Sequence, residues 1–116
     1  MQYMLLIHTS SDVDPHRGTP EFDKLLGDHH QLIQAMQEAG VYVGGNALQP
    51  TVTATSLRVR EGKRETMDGP FAVTKEALGG YYLIDCPDLD AALGWAARVP
   101  EAQWGTIEVR PVVTFG

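Results

Sequence analysis

The segment Tyr3-Met4-Leu5-Leu6-Ile7 is apolar on both of its alternating phases. A strand points successive side chains to opposite faces, so a strand of this kind needs cover on both sides. Tyr81-Tyr82-Leu83-Ile84 and Val112-Val113 share the pattern. Helices packed on one face of a sheet meet half of that requirement. The simplest cover for the other face is a second copy of the same sheet, which predicts a homodimer with sheets face to face.

The helices come from two other stretches. Thr19 can cap a helix, Pro20 suits its first position, and Glu21 and Asp23 complement the positive end of its dipole. Phe22, Leu25, Leu26, His29, Leu32, Ile33 and Met36 then form one stripe at helical spacing, and Gly40 ends it. A second helix opens at Pro87-Asp88, turns Leu89, Ala92, Leu93 and Ala96 inward, and ends near Val99 before Pro100. Strands are expected at Val41–Leu48, Thr53–Arg60, Lys63–Met67, Gly80–Cys86 and Thr106–Thr114, with Glu61-Gly62 as a hairpin turn. The order β-α-β-β-(β)-α-β predicts an α+β fold, the ferredoxin-like split βαβ, with an antiparallel sheet and both helices on one face. Paired face to face, two such sheets make a dimeric α/β barrel.

A length of 116 residues fits one domain, 1–116. A formal net charge of −6 argues against nucleic acid or anionic membrane as a partner, since both need a basic face. Cys86 is the single cysteine, so no internal disulfide is expected. With no leader pattern and no long apolar run, the expected location is the cytoplasm.

Chemistry concentrates in a few positions. "MDGPFAVTKEALGGYY" places Asp68 before Gly69-Pro70. Asp in a turn commonly accepts from the N–H two residues on, and Pro70 has none. Asp68 therefore either orients a rigid turn whose Phe71 plugs into the core, or serves as acid, base or ligand acceptor at a pocket edge. His29 sits within an apolar stripe, so it is either a satisfied core imidazole or a proton carrier working near neutrality. Arg58 would clamp an anionic group or pair with one of the many acids. Phe71 and Tyr82 would wall the pocket. His8, His16, His29 and His30 show no zinc-site spacing, and no metal or cofactor is expected.

"MQYMLLIH", "AGVYVGGNALQP", "MDGPFAVTKEALGGYYLIDC" and "TIEVRPV" together resemble the YCII-related family, in its DGPF-motif branch. The resemblance runs over nearly the whole chain and implies a dimeric ferredoxin-like α+β barrel. It also implies an active-site pair, a His on the first helix and an Asp before a Pro near the last strand. The His falls on His29; the Asp position falls on Val99, before Pro100, so that acid is absent and Asp68 is the substitute. The family pattern commonly has Glu where this chain has Val73. Some relatives look like lyases of chlorinated aromatic diols, and some members of the branch look linked to alternative sigma factors. Two functions follow. One is a homodimeric small-molecule-binding protein with acid–base activity at His29 and Asp68. The other is a regulatory module that binds a protein partner.

Overall fold

The computed structural model describes residues 1–115. Strand β1 (Gln2–Thr9) leads into helix α1 (Pro20–Glu38) and strand β2 (Tyr42–Ala47). Strands β3 (Thr55–Arg60) and β4 (Lys63–Asp68) form a hairpin. Strand β5 (Ala77–Asp85), helix α2 (Leu89–Ala96) and strand β6 (Thr106–Pro111) complete the chain. The main sheet is antiparallel, in the order β2-β5-β1-β6, and the β3–β4 ribbon stands apart as its own sheet. Without that ribbon the four strands and two helices have the ferredoxin-like order expected from the sequence.

Local chemistry sets the helix ends. The Thr19 hydroxyl accepts the Phe22 N–H at 3.2 Å, with Pro20 opening α1. Gly40 closes it with φ of +73°, a conformation that suits a residue without Cβ. The Asp88 carboxylate accepts the Ala91 N–H at 2.9 Å at the start of α2. Between β3 and β4, Glu61 and Gly62 both have positive φ, the hallmark of a two-residue turn that matches strand twist.

The core lies between the sheet and the helices. Tyr3, Leu5 and Ile7 of β1 and Tyr82 and Ile84 of β5 meet Leu32 and Met36 of α1 and Ala92 and Ala96 of α2. These residues form the inner phase of each strand. The outer phase, Met4 and Leu6 of β1 and Tyr81 and Leu83 of β5, is half-buried on a face with no helix over it.

Three expectations are corrected. Leu89 and Leu93 lie exposed, while Ala92, Ala96 and Val99 are buried. The alanines let α2 lie close to the sheet, which rotates the leucines to its flank. The last strand stops at Pro111 rather than Thr114, because β1 begins at Gln2. The Val112 N–H donates at 2.9 Å to the carbonyl of Gln2, the first residue of β1. Phe71 does not plug into the core: its side chain is 86% exposed on the loop that follows the hairpin.

The ribbon changes the outline of the molecule. All of β4 and most of β3 are exposed, and the two strands make only marginal contact with other elements. The radius of gyration is 16.1 Å, against about 13 Å for a compact domain of this length.

Candidate functional site

His29 lies on α1 one turn before Leu32 and points at the sheet. Its Nδ1 is 2.5 Å from the Tyr82 hydroxyl on β5. Its Nε2 is 2.7 and 3.0 Å from the two oxygens of Glu101. Glu101 sits on a short 3₁₀ turn, Pro100–Gln103, that carries the chain from α2 to β6. Both side chains are mostly shielded, with 17% of His29 and 14% of Glu101 exposed.

The two partners suit one tautomer of a neutral imidazole beside an ionised carboxylate. An ionised carboxylate only accepts, so Nε2 carries the proton and donates it to Glu101. Nδ1 then presents its lone pair, and the Tyr82 O–H donates to it. Burial pushes the Tyr82 phenol well above its ordinary value near 10, and the negative charges of Glu101 and then Tyr42 push the same way. Tyr82 therefore keeps its proton and remains a donor. The Tyr42 ring meets the Tyr82 ring edge-on at 6.4 Å, which helps hold the phenol in place.

A cleft of about 270 Å³ is lined by Asp28, Gln31, Leu32, Arg98 and Pro100, which include the chain neighbours of His29 and Glu101 but none of the three hydrogen-bonded residues. Asp28 is paired with Lys24 at 2.7 Å. The Arg98 guanidinium lies 4.8 Å from the Trp95 ring centroid. Among the described residues Arg98 has no carboxylate partner.

The structure distributes the other predicted residues elsewhere. Asp68 ends β4 opposite Thr55, and its side chain enters no hydrogen bond or ion pair among the described residues. The local bond that Pro70 denies it is thus not replaced. Arg58 on β3 pairs across the ribbon with Glu65, Nε to Oε2 at 2.6 Å, both exposed. Phe71 lies beyond the ribbon, away from His29. Tyr82 is brought to His29, but as a hydrogen-bond partner rather than as plain wall. No group of three or more potential metal ligands occurs among the described residues.

Glu101 escaped sequence reasoning. The signal was close at hand, because Glu101 directly follows the Pro100 before which an acid was sought. The family pattern places the acid one residue before the proline, at Val99, and here an acid stands one residue after it.

The YCII-related domain matches residues 1–116. The chain belongs to the YCII-related family. It is also similar to an uncharacterized protein of Rhizobium meliloti (strain 1021), with 37% identity over 117 residues. That match covers 99% of this chain and 94% of the relative. The family's domain thus spans the elements that carry His29, Tyr82 and Glu101. Among the described residues no helix is long and apolar enough to cross a membrane.

Proposed function

We propose that this YCII-related chain, of the DGPF-motif branch, is a homodimeric small-molecule-binding protein with acid–base activity centred on His29. The observation that carries the reading is the unequal treatment of the two imidazole nitrogens. Nε2 is tied to a carboxylate that stabilises a positive charge, while Nδ1 is held only by a rotatable hydroxyl. A substrate that reaches Nδ1 as the Tyr82 O–H turns away from it would give its proton to the imidazole. The same O–H would then donate to the substrate oxygen on which negative charge develops. Glu101 would hold the imidazolium and its orientation. In this reading Glu101 takes the part of the acid beside His29, and Asp68 has no place in the proton path. The uncovered apolar sheet face supports the dimer.

The test is a ligand-observed NMR screen of small metabolites, followed by product analysis of each compound that binds. The wild-type protein should convert at least one of them. His29→Gln should lower that rate by roughly 100-fold or more, the usual contribution of a positioned acid–base group. If no compound binds near His29, and His29→Gln, Tyr82→Phe and Glu101→Gln all simply lower stability, the three residues are packing and the reading is wrong.

A further inference from the structure

A second cleft, on the opposite side of the sheet from His29, absorbs the motif that the proposed function leaves unused. It encloses about 480 Å³, within the range of small-ligand sites, and three separate segments build it. The end of β1 supplies His8, the connection after β2 supplies Leu48 and Pro50, and the DGPF loop running into β5 supplies Phe71, Glu76 and Leu78. The lining is mostly apolar and contains no Lys or Arg. Pro50 and Pro70 stiffen its two lips.

Three features indicate what would fit. The Phe71 ring stands almost free of the chain at the rim, an apolar surface with nothing packed on it. A flat apolar molecule would stack there. Gln49 and three threonines add polar groups to the lining, and Glu76 is its one carboxylate. Glu76 takes the Thr106 hydroxyl on Oε1 at 2.8 Å, and its Oε2 has no partner among the described residues. His8 Nε2 is buried and, among the described residues, makes no hydrogen bond; Glu108 Oε1 lies 3.3 Å away without hydrogen-bond alignment. An acidic, cation-free lining repels anions, and a ligand with one donor group would satisfy Glu76.

We infer that this cleft is a binding site for a small, uncharged, flat aromatic molecule that carries one hydrogen-bond donor. The inference does not rest on chemistry at His29.

Indole is a suitable probe, and N-methylindole, which lacks the donor, is its control. Binding would be followed by ¹H–¹⁵N shift mapping and isothermal titration of the full chain. Indole should perturb residues 48–54 and 70–78 and bind about tenfold more tightly than N-methylindole. Phe71→Ser, at an exposed position that folding does not need, should weaken indole at least tenfold. Glu76→Gln should narrow the gap between the two probes, and His29→Gln should change neither affinity. Shifts confined to the His29 side, equal affinity for both probes, or no saturation below millimolar indole would each overturn the inference. So would indole binding only to monomer released on dilution, since the cleft would then be interface between two copies.

Discussion

His29, Tyr82 and Glu101 come from positions far apart in the chain and meet through two hydrogen-bonded contacts. The Tyr82 phenol gives a pH signature. In the unfolded chain a tyrosine ionises near pH 10, whereas burial raises the folded phenol above that value. The unfolded state therefore releases its proton first as pH rises. The stability linked to Tyr82 is fully present below about pH 10 and is lost through the window above it. Urea midpoints measured from pH 8 to 11 should fall at the alkaline end, and Tyr82→Phe should flatten that fall. A parallel fall in the variant would exclude Tyr82 as its source. At this scale the sequence was partly legible. His29 stood out because an imidazole interrupted an apolar stripe. Glu101 did not, because the family pattern points to the residue before Pro100, and no periodicity marks the acid after it as the partner of a helix residue 72 positions earlier. Phe71 misled because apolar loop residues usually pack, and this loop follows a ribbon that leaves the core.

Among the elements, the clearest were those with strong periodicity or chemical caps. The Thr19-Pro20 start and Gly40 stop of α1 are written in residue types that suit those positions alone. The two-phase apolar strands β1 and β5 became the centre of the sheet for the reason that made them conspicuous. The inward face of α2 was less legible, since helical spacing cannot say whether leucines or alanines set the approach distance. One of the two glycines of β2 also acquires a reason. A Cβ on Gly45 would lie 2.7 Å from both the Tyr81 carbonyl and the Tyr82 ring. Gly45 is thus what lets β2 pass over the phenol that serves His29. Gly45→Ala should destabilise the protein by about 1–3 kcal/mol, as overpacking does. It should also shift the His29 ring resonances in NMR spectra. An unchanged denaturation midpoint with unmoved His29 signals would show that β2 can yield without disturbing the site.

The whole molecule is thin, 19 Å along its shortest axis, because helices cover one side of the sheet only. Met4, Leu6, Tyr81 and Leu83 remain half-exposed on the other side. The sequence announced this face by its two-phase strands, but a single chain cannot display what covers it. Light scattering should return twice the chain mass, and Leu83→Asp, at the middle of that face, should return the monomer. A monomeric wild type at micromolar concentration would remove the homodimer from the proposal. The same view explains the detached ribbon. Leu48 N–H binds the Gly79 carbonyl at 2.8 Å, so the chain leaves the main sheet and rejoins it at adjoining points. Everything between is an excursion that the sheet registers as one closed connection. Lengthening or reshaping it changes the closure entropy only logarithmically and leaves the strand register alone. The excursion also forms much of the Phe71 cleft. Relatives can therefore diversify what that cleft accepts while the architecture beneath it stays under separate selection.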